Sequence, residues 1–135
     1  MSKFLSELHA HLLDDDTIWE LDEPLIYQSD VLEGAILNVP KKFQTDFASI
    51  PRWIPIASNA LLDKAHREAV LHDYLYRKDS VPVVSESQAN NVLLEAMVVR
   101  GKSIYVRKPI YWGVCIGGWT AYHKLNVVDK LYKGE

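Results

Sequence analysis

Three observations predict an α+β fold for this sequence. The first third is rich in β-branched and aromatic residues broken by turn chemistry, the last two thirds carry helical periodicity, and a capping box opens one long helix. The expected architecture is a small N-terminal antiparallel sheet packed on about three main helices in a single domain, residues 1–135. Its expected parts are an N-terminal helix and acidic break (1–16), a mostly β stretch (17–52), a mostly α stretch (59–125) and a C-terminal tail (126–135).

Phe4, Leu5, Leu8 and Leu12 have the spacing of a short amphipathic helix, closed by Asp14, Asp15 and Asp16. Ile18, Trp19, Leu21, Leu25, Ile26 and Tyr27 surround Pro24 and predict one or two short strands. Turn residues over 30–34 lead into a strand over 35–39, interrupted at Pro40 and resumed over 41–46. Pro51, Pro55, Ser58 and Asn59 then punctuate a loop, and a helical pattern runs over 59–76. At about 100° per residue, His66, Ala69, Val70, Asp73 and Tyr76 share its packing face, with His72 at the edge and Arg67 and Glu68 opposite. Ser85 and Gln88 form the capping box of a helix ending near Arg100, with Gly101 as its terminator. Asn90 shares the inward face of that helix with Met97. Residues 104–106 read as a short strand or linker, and Pro109 opens a last helix over 110–125.

Composition narrows the function. The net charge is −3 with both signs interspersed, so no basic stripe marks a nucleic-acid partner. The single cysteine, Cys115, lies in an apolar run and reads as core. The start of the chain lacks the apolar run of a signal peptide. Residues 109–120 are apolar, but roughly 12 residues fall short of the ~20 needed to span a bilayer, so no transmembrane segment is expected.

Chemistry concentrates on the helix over 59–76. His66 and Asp73 stand where a plain packing face would carry Leu or Ile, and an unpartnered buried polar group costs about 1–3 kcal/mol. Each therefore needs a partner. His72 and Asp73 are the catalytic candidates, with Asp46, Ser49, Arg52, His66, Tyr76 and Asn90 as pocket or supporting residues. Four uses fit this group. His72 acts as a general base beside Asp73. Asp46 and Asp73, with a histidine, hold a divalent metal. The cluster is a structural hydrogen-bond network that does no chemistry. Or it floors a binding pocket without turnover. Ser49 lacks the glycine-flanked elbow of a serine nucleophile, and Arg52 pairs with an acid or an anion. Trp112, Trp119, Tyr111 and Tyr122 read as core or oligomer contacts.

The ordered segments Phe43-x-Thr45-Asp46-x-Ala48-Ser49-x-Pro51-Arg52, Ala69-Val70-Leu71-His72-Asp73-x-x-Tyr76 and Ala89-Asn90 through Gly101 carry a resemblance. Over roughly residues 17–125 the chain resembles small uncharacterised phage and prophage proteins, a domain of unknown function. That resemblance implies a viral or prophage origin, a place in the host cytoplasm or virion, and a host or virion protein as partner. Two positions depart from the family pattern: Lys42 stands where the family usually has Gly, and Asn90 where it often has Asp. The His72-Asp73-x-x-Tyr76 helix is also similar to the His-Asp-x-x-Tyr helix of secreted and viral phospholipases A2. There the histidine activates water and the aspartate holds calcium, but their Gly-rich calcium loop and disulfides have no counterpart here.

Two functions stay open from the sequence. One is a phage accessory protein with a His-Asp centre, a metal-assisted hydrolase in lysis, entry or host takeover. The other is a non-catalytic phage protein that binds a host protein, small molecule or virion component, its His-Asp cluster being structural.

Overall fold

The computed structural model describes residues 2–13, 18–45, 66–117, 122–129 and 131. It is an α+β domain with two three-stranded antiparallel sheets and three helices among those residues. Strands β1 (Lys3–Phe4), β4 (Leu25–Ser29) and β5 (Ala35–Val39) form one sheet in the order β1-β4-β5. Strands β2 (Ala10–Leu12), β3 (Trp19–Leu21) and β6 (Gln44–Thr45) form the other in the order β2-β3-β6. The single sheet expected from the sequence is thus divided in two.

The β4–β5 hairpin is the best-defined pair, with Tyr27 opposite Leu37 and Leu25 opposite Val39, all four fully buried. Inward and outward residues alternate along β4, as a sheet with one packed face requires. Its connecting turn uses Glu33 and Gly34, both at positive φ (58° and 83°), and Gly34 donates its N–H to the Ser29 carbonyl at 2.8 Å. A side chain at position 34 would meet no neighbour, so glycine is chosen there for its backbone alone.

The amphipathic helix expected ahead of the acidic break does not form over the described residues 2–13, where strands β1 and β2 stand instead. From Ser2 to Ala10, half-buried and exposed residues alternate strictly, a period of two that puts Phe4, Leu8 and Ala10 inward. The helical spacing of Leu5, Leu8 and Leu12 competes with that period. Pairing decides the outcome: Lys3 and Phe4 register with Gln28 and Tyr27, and residues 10–12 with Leu21, Glu20 and Trp19.

Helix α1 (His66–Leu75) buries every residue from Glu68 onward, and α2 (Glu86–Val99) packs against it. Glu68, expected on the outer face, is 1% exposed, with Lys102 Nζ 3.9 Å from its Oε2. Burial raises its pKa above the ordinary carboxylate value.

The ends of α2 match the sequence expectation. Ser85 accepts from the Gln88 N–H at 3.1 Å, and the Gln88 side chain accepts from the Ser85 N–H at 2.9 Å. At the other end, Gly101 (φ 75°) donates to the Val98 carbonyl at 3.0 Å and Lys102 to the Met97 carbonyl at 2.9 Å, a Schellman closure. Ser85→Ala is expected to cost about 1 kcal/mol, read as a lowered urea midpoint with an unchanged slope.

Helix α3 (Ile104–Gly117) starts earlier than expected and holds Pro109 in its interior. The bond lost at Pro109 would have reached back to Tyr105, a residue 84% exposed, so the vacancy falls on the solvent side. Cys115 is exposed rather than core, because α3 buries only Ile110, Gly113 and Val114, and Trp112 is exposed as well, which removes the core half of its reading as a core or oligomer contact.

One carboxylate joins α2 to the first sheet. Glu95 Oε1 accepts from Tyr27 Oη at 3.0 Å and Ser29 Oγ at 2.8 Å. Its Oε2 accepts from Ser2 Oγ and from the backbone N–H groups of Asp30 and Val31 at 3.0 and 3.1 Å.

Candidate functional site

Helix α1 carries His72 and Asp73 into the interior, with Tyr76 buried on the turn that follows it, and α2 brings Asn90 to meet them. The Asn90 amide oxygen lies 2.7 Å from His72 Nε2 and accepts from Tyr76 Oη at 2.9 Å. The Asn90 amide nitrogen in turn faces Cys115 Sγ on α3 at 3.9 Å. With its oxygen turned toward two donors, Asn90 fixes the proton of the imidazole on Nε2 and leaves the lone pair on Nδ1. The His72 and Tyr76 rings lie 4.2 Å apart, an ordinary consequence of spacing i and i+4 on a helix.

His72 is 0% exposed. Burial lowers its pKa from 6.5 to about 4, against the hydrogen bond it donates to Asn90 and the Asp73 charge, which both favour protonation. The imidazole is therefore neutral near pH 7. The unfolded chain takes up a proton at 6.5 and the folded chain only near 4. The His72 contribution to stability is thus fully present above about pH 6.5 and is lost as pH falls from 6.5 to 4, by about 3 kcal/mol in all. Glu68 acts in the opposite sense, its contribution fading as pH rises through its raised pKa. In urea titrations between pH 7 and 4, subtracting the His72→Gln profile from wild type isolates the imidazole. The difference is expected to shrink steadily toward acid, and a pH-independent difference would show that His72 is not held neutral.

Asp73 turns to a different set of partners. Its Oδ2 accepts from Thr45 Oγ1 and pairs with Arg77 Nη2 at 3.5 Å. Arg77 is 3% exposed, and the same Nη2 donates to the Gln44 carbonyl at 3.0 Å. Its Nη1 donates to the Asn126 carbonyl at 3.3 Å, and the guanidinium stacks on Phe43 at 4.8 Å from the ring centre. Arg77 thereby links α1, strand β6 and the C-terminal segment through one buried cation.

The structure thus brings His72, Tyr76 and Asn90 together and places Asp73 in an adjoining ion-paired cluster. His66 lies elsewhere along α1, its ring 5.5 Å from Trp19 and beside a cavity of about 90 Å³ lined by Leu8, Ala10 and Val70. Asp46, Ser49 and Arg52 lie outside the described residues. Among the described residues no group of three or more His, Cys, Asp or Glu side chains is placed to hold a metal ion. At Asp73 the Arg77 cation lies 3.5 Å from Oδ2 and offsets part of the carboxylate charge. Arg77 was not singled out from the sequence, although its spacing of four from Asp73 on one helix is a signal for such a pair.

Residues 19–114 match the model of a family described as protein of unknown function (DUF1353). The chain belongs to the DUF1353 family. No curated protein and no solved structure matches it. The match takes in every strand from β3 onward, helices α1 and α2, and α3 as far as Val114. His72, Asp73, Tyr76, Arg77 and Asn90 of this DUF1353 domain all fall inside it. Among the described residues no helix of the DUF1353 chain is long and apolar enough to cross a membrane.

Proposed function

We propose that this DUF1353 chain is a non-catalytic phage or prophage accessory protein that works by binding, with His72 and Asp73 as internal braces. The observation that carries the reading is the complete burial of His72, its Nε2–H committed to a neutral amide. A general base must reach the proton it removes, at about 2.6–3.2 Å or through one water. An imidazole at 0% exposure with a pKa of about 4 is poorly placed and weakly basic for that task. Asp73 supports the same reading, since its charge is spent on Arg77 and Thr45. The ordered motifs that resemble phage and prophage proteins support the viral assignment.

A metal-assisted hydrolase is the second reading, and one feature favours it. Asn90 Oδ1 accepts from both His72 and Tyr76, which holds the imidazole in the neutral tautomer a water-activating base uses. A carboxylate at position 90 would strengthen such a base, and Asn90 supplies none.

Turnover of p-nitrophenyl esters and phosphoesters separates the readings, measured with wild type, His72→Gln and Asn90→Asp, with and without calcium, magnesium or zinc. The expected result is no hydrolysis above buffer by any of the three, together with lowered stability in His72→Gln. Metal-dependent turnover by wild type that disappears in a folded His72→Gln protein, and rises in Asn90→Asp, would overturn the binding reading.

A further inference from the structure

An open groove of about 590 Å³ runs between the N-terminal segment and the facing ends of α1 and α2. That volume lies within the range of about 300–1,000 Å³ usual for small-molecule sites. Lys3, Arg67 and Arg100 line it, with Glu7 as the one carboxylate among the described lining residues. The local balance is therefore positive on a chain whose net charge is −3.

Arg67 feels the charges of Glu68 and Glu7 but makes no direct ion pair with either. Arg67 stacks on the Phe4 ring at 5.4 Å, and its Nε is shielded from solvent with no acceptor. Among the described residues, none of Lys3, Arg67 and Arg100 stands within ion-pair distance of a carboxylate, although Glu7 shares the groove. Arg67 is held below its usual pKa by burial first and by the Arg100 charge second. Arg100 has a structural reason for its place, since a cation complements the C-terminal end of α2. Arg67 sits in the first turn of α1, where the helix terminus gives a cation no such support. Beside these cations lie Leu5 and Val99, apolar side chains 45% and 41% exposed.

We propose that this groove binds a small amphiphilic anion. Its carboxylate or phosphate head is held between Arg67 and Arg100, and its apolar body lies on Leu5, Val99 and the edge of Phe4. An anion here supplies the direct ion pair that Glu7 and Glu68 do not make with Arg67, and guanidinium groups match the planar or forked acceptors of carboxylate and phosphate. The apolar wall makes the site selective for a head that carries a tail over a bare ion. This inference deepens the binding reading above and names its ligand class, at a site that neither His72 nor Asp73 lines.

The test is calorimetric titration of the full chain with octyl phosphate and octanoate, with inorganic phosphate and octylammonium as controls. Both amphiphilic anions are expected to bind saturably at sub-millimolar concentration. Inorganic phosphate should bind at least about tenfold more weakly, and octylammonium not at all. The double substitution Arg67→Gln with Arg100→Gln should weaken octyl phosphate by about tenfold or more while leaving the melting temperature within a few degrees of wild type. Equal binding by the double variant would overturn the proposal, as would inorganic phosphate matching octyl phosphate, or no saturable binding at millimolar ligand. Sedimentation with phosphatidylglycerol vesicles that octyl phosphate does not compete away would also overturn it, by putting a membrane surface in place of a free ligand. Cleavage of octyl phosphate that depends on His72 would defeat the binding-protein reading instead, while groove-dependent affinity would still be read from the arginine variants.

Discussion

Glu95→Ala is expected to lower the stability of the domain by about 3–5 kcal/mol, a large share of the ~5–15 kcal/mol that holds a typical domain folded. The substitution removes one side chain but orphans donors on three segments: Ser2 Oγ, Tyr27 Oη and Ser29 Oγ, and the N–H of Val31, while the Asp30 N–H keeps its 3.1 Å bond to Ser2 Oγ. Tyr27 and Ser29 are 0% exposed, so water cannot replace the carboxylate without disturbing β4. Burial and the Glu95 charge already hold the Tyr27 phenol far above its ordinary pKa, so it stays protonated and serves only as a donor. Glu95→Gln should recover little, because its amide nitrogen would face one of the donors now served by an oxygen. The measurement is urea unfolding of both variants. In a double-mutant cycle with Tyr27→Phe, a coupling near zero would show that the two groups are not energetically joined.

Asp73→Ala is expected to cost a similar amount, about 3–5 kcal/mol, because it strands the Arg77 cation at 3% exposure. Asp73→Asn should cost less, since the amide oxygen keeps the Thr45 bond and only the charge is lost. The damage should appear at both ends of the molecule. Arg77 also holds the Gln44 carbonyl in β6 and the Asn126 carbonyl near the C-terminus, so protease sensitivity at the C-terminal segment is expected to rise along with the loss of global stability. An Asp73→Ala protein as stable as wild type would mean that Arg77 finds its countercharge elsewhere, and the brace described for the pair would fall with it.

Features set by neighbouring residues were legible in the sequence. The capping box at Ser85, the left-handed Gly101 and the β4–β5 hairpin depend on residues within a few positions of one another, and each was found as expected. The N-terminal segment was not, because its apolar residues satisfy a helical and an alternating period together, and the choice rests on strands more than ten residues away. Glu68 was assigned outward by the same wheel that correctly placed Ala69 and Asp73 inward. A wheel assumes one wet face, and α1 has none from Glu68 onward. At the candidate site, the meeting of His72, Tyr76 and Asn90 followed from polar residues standing on packing faces. The separate fate of Asp73 did not, since Arg77 had been overlooked and the backbone carbonyls it reaches have no sequence signature.

The Glu95 junction also bears on when this chain can become committed to its fold. The strands of both sheets are complete by Thr45, yet the carboxylate that satisfies the β4 turn and the N-terminal segment lies 50 residues further on, and Ser2 reaches across 93 positions to it. Gln44 waits 87 positions, for the N–H of Leu131. During synthesis the β-rich portion precedes its helical cover and must stand without it until α1 and α2 have been made. Contacts this distant slow folding relative to helical bundles of the same size, and the exposed hairpin is the segment for which an early-acting chaperone would compete.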